Sequence, residues 1–344
     1  MSESDLAGKL EIYIKGRIPN TEALRVDQLQ RIHGGASRKT YRFQLHTTIE
    51  STPYERGLIL RLDPDTSLVE SEFAQEFNVY QAFYNTPVPV PEPLWLEEDT
   101  RWLGRPFFVM AEIPECESNR LKITEPPYQA VREQIGEHYT RILAEISKSI
   151  IPEKDLPAFQ NPPAPDECWR RELDYWEGKI DQAELEPHPV IRAAIRWLRK
   201  NPPPPAQKIS VIHGDYRIGN ILYSVDGTVH GVLDWEMCHL GDPLEDITYG
   251  MNPLWSVKEP DKVGNMLPRK NFLKLWEKES GLDASPEAVY WWEIFTNIKA
   301  TALWIDAGRK FSDGRNKDII LGHTAWMATD VQSFILLNKF RNVS

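Results

Sequence analysis

Two short apolar runs, residues 209–212 and 221–224, bracket the polar segment His213-Gly-Asp215-Tyr-Arg217-Ile-Gly-Asn220. A polar loop tied at both ends to strands holds its side chains in fixed positions, as reacting groups require. Fourteen residues beyond Asn220, a second apolar run delivers a carboxylate in Gly231-Val-Leu-Asp234-Trp-Glu236. The Asp226-Gly227 pair between them signals a tight hairpin, which would return Asp234 to the side of Asn220. The chain must therefore build a rigid frame around a carboxylate, an amide and a second carboxylate. Asp215 is suited to accept a hydrogen bond from a hydroxyl and so orient it. Asn220 and Asp234 offer hard oxygens of the kind magnesium takes. Arg217, two residues past Asp215, can hold a phosphate or neutralise transferring charge.

The rest of the sequence divides into two kinds of pattern. Residues 1–25 are polar and mixed, and read as a loose arm or a short helix. From residue 26 the period is close to two: Leu29 and Ile32, then Tyr41, Phe43 and Leu45 after His33-Gly34-Gly35-Ala36-Ser37. Leu58-Ile-Leu60-Arg61-Leu62 is a short strand stopped by Asp63-Pro64. A helical period follows over residues 68–84, with Phe73, Phe77, Tyr80 and Phe83 on one face, and Pro87-Val-Pro-Val-Pro91 ends it. Pro106-Phe-Phe-Val-Met110 is the next strand. Beyond Pro114 helices are expected at residues 127–150, 166–180 and 188–200. A proline spacer at 202–205 leads to the strands described above, and the chain from 242 onward reads as helical and rich in tryptophan. This gives an α+β chain: an arm at 1–25, a small β-rich N-terminal lobe at 26–113 with a Gly-rich turn, and a larger helical C-terminal lobe at 114–344.

Charge excludes some functions. A net charge of −11 argues against general nucleic-acid binding, which needs a basic face. No stretch approaches the ~20 apolar residues that span a bilayer. The first residues lack the basic-then-apolar layout of a signal peptide, so a cytoplasmic location is expected. Cys116, Cys168 and Cys238 are too few and too scattered for a disulfide framework and read as reduced thiols.

With these motifs in order, the chain resembles the aminoglycoside phosphotransferase and choline kinase superfamily, which has a protein-kinase-like two-lobe fold. HGDYRIGN resembles its catalytic loop, and Asp234-Trp-Glu236 stands where kinases carry Asp-Phe-Gly. The wording GGASRKTY, LILR, VPVP, FFVM, HGDYRIGN and LGDPLED is closest to the phosphotransferase-like proteins related to the kinase part of acyl-CoA dehydrogenase fusions. The resemblance spans about residues 26–250 and implies a kinase binding ATP and magnesium between its lobes. Asp215 would then be the catalytic aspartate, with Arg217 beside it, and Asn220 and Asp234 the metal ligands. His213 would order the loop. Gly34, Gly35 and Ser37, with Arg38 and Lys39, would approach the phosphates. Arg61 stands where kinases place a lysine, with Glu76 as its expected partner and Glu72 as the alternative. Met110, Glu112 and Ile113 would form an adenine-binding hinge. Asp242 and Asp246 read as carboxylates that brace loops and a helix start.

The acceptor is left open. From residue 251 the chain has 13 Lys and Arg against 11 Asp and Glu, which does not suit a polycationic aminoglycoside. Six of the twelve tryptophans, Trp255, Trp276, Trp291, Trp292, Trp304 and Trp326, lie in that region. They read first as helix packing and second as an aromatic acceptor pocket. The partners implied are ATP and a small-molecule acceptor; antibiotics, amino alcohols and hydroxyacyl metabolites are the candidates. A nucleotide-binding pseudokinase is the alternative of another class, suggested by Arg61 and the altered Asp-Trp-Glu. The oligomeric state is not addressed by the sequence.

Overall fold

Alternating apolar residues in the first third of the chain become an antiparallel sheet, ordered β1-β2-β3-β5-β4. Its strands are β1 (Thr21–Ile32), β2 (Lys39–Ile49), β3 (Thr52–Leu62), β4 (Pro93–Glu97) and β5 (Phe107–Ala111). The computed structural model describes residues 2–32, 38–63, 73–149, 159 and 161–341. The chain divides into two compact units, Met1–Cys116 and Glu117–Ser344.

In the first unit, the run Phe107-Phe108-Val109-Met110 is buried throughout because both faces of β5 are covered. Phe107 and Val109 belong to the core shared with helix α1 (Glu3–Lys15). Phe108 faces the other way and meets Phe73, Phe77 and Tyr80 of α2 (Phe73–Phe83) at centroid distances of 5.3, 5.6 and 6.1 Å.

Of the two readings of residues 1–25, the structure takes the short helix. Ser2 and Asp5 form a reciprocal capping box that starts α1. Leu6, Leu10, Tyr13 and Ile14 then fall on one buried face. The Tyr13 ring sits edge-on to Phe107 at 4.8 Å and to Trp102 at 5.2 Å. Each buried Leu of this face contributes about 1.5–3 kcal/mol. The first strand also begins earlier than the period suggested, at Thr21. Its register with β2 shifts twice, between Glu22 and Arg25 and between Asp27 and Gln30. Such irregularities place extra residues in one strand and break the period of two that a sequence reading depends on.

The second unit is mainly helical: α3 (Arg132–Lys148), α4 (Cys168–Ala183), α5 (Pro189–Lys200), α6 (Leu244–Gly250), α7 (Arg269–Ser280), α8 (Pro286–Ser312) and α9 (Ile319–Arg341). Helix α8 is buried along most of its length and packs against α4, α5, α6 and α9. Two short antiparallel ribbons carry the loop of interest. One pairs β6 (Ser210–Ile212) with β9 (His239–Gly241), and the other pairs β7 (Ile221–Tyr223) with β8 (Val229–Val232). Trp276, Trp291 and Trp292 are core residues, whereas Trp326 is 71% exposed. The three cysteines are free thiols, two of them buried.

Candidate active site

The loop after β6 is held from beneath by one carboxylate. Asp246, in the first turn of α6, accepts the backbone N–H of His213 at 2.6 Å and that of Gly214 at 2.9 Å. Gly214 has a φ of +85°, and a Cβ there would collide with the Met237 carbonyl, so the turn requires glycine. His213 is buried. Its Nε2–H donates to the Leu233 carbonyl at 2.8 Å, while Nδ1 accepts the N–H of Asp215 at 3.2 Å. This pattern needs a neutral ring, and burial pushes its pKa down to about 4. His213 orders the loop, as expected. Tyr139 of α3 and Tyr216 exchange hydroxyl-to-carbonyl hydrogen bonds at 3.1 and 2.8 Å, fixing the loop from another side.

These supports aim Asp215. Asn220 donates through Nδ2 to Asp215 Oδ2 at 2.6 Å and to the Asp215 carbonyl at 2.9 Å. Arg217 Nε donates to Asp215 Oδ1 at 2.9 Å and to Oδ2 at 3.2 Å. Burial works against the Arg217 charge, but Asp215 more than offsets it and leaves the pKa raised. The guanidinium carbon lies 4.9 Å from the Trp255 ring centroid, a cation–π distance. Burial, and then the negative charge of Asp215, hold the Tyr249 phenol well above its ordinary pKa.

The β7–β8 ribbon returns the second carboxylate as its turn signal implied. Ile221 pairs with Val232, and the Leu233 N–H donates to the Asn220 carbonyl at 2.9 Å. Asp234 is the next residue and takes a left-handed conformation, φ 68° and ψ 56°. A non-glycine residue there carries strain of the kind that collects at functional positions. Asn220 commits its amide nitrogen to Asp215, and its Oδ1 has no partner among the described residues. A carbonyl oxygen so presented, one residue beyond a ladder bond from a carboxylate, fits a hard cation such as magnesium.

In the first unit, Arg61 and Glu76 meet as expected, with Nη1 2.8 Å from Oε1, and both side chains are buried. Arg38 was expected to approach phosphates. It is instead buried, 2.6 Å from Asp63 and 3.6 Å from Glu76. At the expected hinge, the Ala111 N–H is taken by the Glu92 carbonyl and the Glu112 N–H by the Gly57 carbonyl. Met110 is 4% exposed and paired on both sides within the sheet. The Ile113 N–H has no partner among the described residues. Gly34, Gly35, Ser37 and Glu72 lie outside the described residues.

The sequence pattern of the Phosphotransferase enzyme family matches residues 28–282. The chain belongs to that family. It is 31% identical to acyl-CoA dehydrogenase family member 10 of Mus musculus over 247 residues, 70% of this chain and 21% of that protein. The chain thus spans about a fifth of that relative's length. Among solved structures, a Ralstonia eutropha protein assigned as an aminoglycoside phosphotransferase superposes with a TM-score of 0.70. It is 19% identical, and the match covers 96% of this chain and 98% of that one. Aminoglycoside phosphotransferase APH(4)-Ia, in a ternary complex with AMP-PNP and hygromycin B, gives a TM-score of 0.60 at 13% identity, over 94% and 98% of the two chains. These likenesses show the protein-kinase-like fold.

The phosphotransferase loop rests on an ion cluster that sequence reading missed. Lys299 of α8 donates to Glu245 Oε1 at 2.6 Å, with both side chains fully buried. His239 Nε2 lies 3.1 Å from the other oxygen of Glu245 and 3.6 Å from Glu172. Burial alone would lower the His239 pKa, but Glu172 and Glu245 raise it to about 9. Burial would likewise raise that of Glu245, yet Lys299 and His239 bring it down to about 2. Glu172, His239 and Glu245 are close enough to share a metal ion. Lys299 already supplies the balancing charge, so the group reads as an internal ion pair network. Asp246 beside it is pushed up to about 7, first by burial and then by Glu245. The signal available in sequence was Lys299 itself, the one charge within the mostly apolar stretch Ile294–Trp304 of a long helix. Asp242 accepts the Leu244 N–H at 3.0 Å and the Trp292 indole N–H at 3.2 Å, bracing the start of α6 as expected.

Proposed function

We propose that this phosphotransferase moves the γ-phosphoryl group of ATP, bound with magnesium, to a hydroxyl of a small molecule. The observation that carries the reading is the hold on Asp215. One carboxylate is gripped on Oδ2 by Asn220 and mainly on Oδ1 by Arg217, on a loop braced by Asp246. Such a carboxylate can accept the acceptor's hydroxyl hydrogen bond, align its oxygen for in-line attack and take the proton late in transfer. Arg217 offsets the negative charge gathering beside it. Asn220 Oδ1 and Asp234 would hold magnesium, which when bound neutralises the phosphate oxygens. In the first unit, Arg61, positioned by Glu76, is assigned to phosphate. The Ile113 N–H and the Glu112 carbonyl are assigned to adenine.

Catalysis on this reading is positioning and electrostatics. The acyl-CoA dehydrogenase name of the relative supports a hydroxyacyl metabolite, free or as a thioester, as the first acceptor class to test. Antibiotic and amino alcohols come second. The test follows ADP release with magnesium across these acceptors. Asp215→Ala should lower kcat by about 10²–10⁴-fold while nucleotide binding persists. Nucleotide binding without acceptor-dependent ADP release in the wild type would instead mark a binding protein.

A further inference from the structure

A second arginine stands close to Arg217 and has no acidic partner among the described residues. The backbone before it is locked. Glu117 and Tyr223 exchange backbone hydrogen bonds at 2.8 and 3.0 Å, and the Tyr223 hydroxyl donates to the Asn119 carbonyl at 2.8 Å. The Asn119 side chain accepts the Leu121 N–H at 3.0 Å across the intervening residue, Arg120. Arg120 Nη1 then donates to the Leu254 carbonyl at 2.6 Å. Arg217 stacks on the next residue, Trp255. Two guanidinium groups thus converge on one short segment after α6.

Their charges are not balanced alike. Arg217 is paired with Asp215, whereas no carboxylate among the described residues pairs with Arg120. Burial and the nearby Arg217 charge both lower the Arg120 pKa. A partly desolvated cation next to another cation is costly unless an anion joins it. Arg120 keeps most of its five donors for one. The metal-side residue Asn220 grips Asp215 on Oδ2, while Arg217 grips it mainly on Oδ1. Arg217 therefore stands directly beside Asp215, with the Arg120 charge close to it.

We infer that Arg120 and Arg217 form the anion-binding part of the acceptor site. The acceptor then carries a carboxylate or phosphate separated from its hydroxyl by a spacer. This rests on the phosphotransferase reading and narrows its substrate class. A cationic acceptor would set its charge against Arg120.

The test uses the full chain and four alcohols of one chain length: ω-hydroxyhexanoate, ω-hydroxyhexyl phosphate, hexanediol and aminohexanol. Binding is measured by calorimetry with magnesium and AMP-PNP present, and transfer by ADP release with ATP. At least one anionic alcohol should exceed the diol by about 10-fold in kcat/KM, with the amino alcohol lowest. The ranking of carboxylate against phosphate identifies which anion the site takes. Arg120→Gln should raise KM for the anionic alcohol about 10-fold, leave the diol and ATP within about twofold, and be partly rescued by Arg120→Lys. Three results would overturn the inference: anionic alcohols that bind or react no better than the diol, no binding of either anionic alcohol, or an Arg120→Gln effect equally large on ATP. If the wild type fails to bind AMP-PNP with magnesium, the phosphotransferase reading falls, and this inference with it. Nucleotide binding without preference for the anionic alcohols overturns this inference alone.

Discussion

Asp215 owes its direction to residues well separated from it in sequence as well as to its own loop: Asn220 and Arg217 on its oxygens, and Asp246 under the backbone of His213 and Gly214. Arg61 shows the same dependence in the first unit. Its guanidinium meets Glu76 at 2.8 Å, and Arg38 stands on the other Glu76 oxygen at 3.6 Å. An arginine can fill the position kinases give to lysine because a fork of donors can hold a carboxylate and a phosphate together. Arg61→Ala should weaken ATP affinity about 10-fold, read by calorimetry. It should also cost about 1–3 kcal/mol of stability in urea, since buried Glu76 loses its 2.8 Å contact with a guanidinium. Unchanged ATP affinity would place the phosphate contact elsewhere.

At the scale of elements, α8 reaches the catalytic loop through charge. Lys299 pins Glu245, the neighbour of Asp246, and His239 ties the same carboxylate to β9 and toward Glu172 on α4. Lys299→Met alone should destabilise the chain by about 3–5 kcal/mol, because it strands a buried carboxylate. Lys299→Met with Glu245→Gln should recover part of that loss, and a double-mutant cycle in urea measures the coupling. Two additive losses would mean that the pair does not act as a unit. His239 adds a pH dependence. Its folded pKa is raised from 6.5 to about 9, so its contribution is fully present below pH ~6.5 and fades as pH rises through about 9. The shift corresponds to roughly 3 kcal/mol as an upper order of magnitude, with Glu172, Glu245 and Lys299 titrating against it. Urea stability of the wild type should fall between pH ~6.5 and ~9, and that of His239→Gln should fall less. Parallel curves would contradict the charged state assigned to His239.

For the whole molecule, ligand linkage separates metal binding from chemistry. ATP with magnesium at 100 times its Kd should stabilise the chain by about 2.7 kcal/mol, seen as a rise in Tm. Asp234→Ala should lose the magnesium-dependent part of that rise. Asp215→Ala should keep most of it if, as proposed, Asp215 serves the acceptor and Asp234 the metal. Equal losses in both variants would merge the two roles.

Local patterns made much of this legible in advance. The loop between two apolar runs, the Asp-Gly hairpin and the all-apolar strand at residues 107–110 rest on periods of two or 3.6 and on short turn signals, which neighbouring residues determine, whereas the Arg61–Glu76 pairing was implied by the family resemblance. The packing of the helix at residues 3–15 and the early start of β1 were hidden because strand irregularities break the alternation and a capping box does not announce what its helix packs against. The sequence by itself determined that a carboxylate, an amide and a second carboxylate would be presented on rigid strands. Only the tertiary structure decided what holds and surrounds them: Asp246 under the loop, Lys299 and His239 on Glu245, Trp255 beneath Arg217, and Arg120 beside it. Apart from His239 and Glu245, those partners lie tens of residues apart along the chain. Local periodicity carries no information about long-range pairing, whereas the cost of burying a charge alone leaves its mark only once the fold brings the partners together.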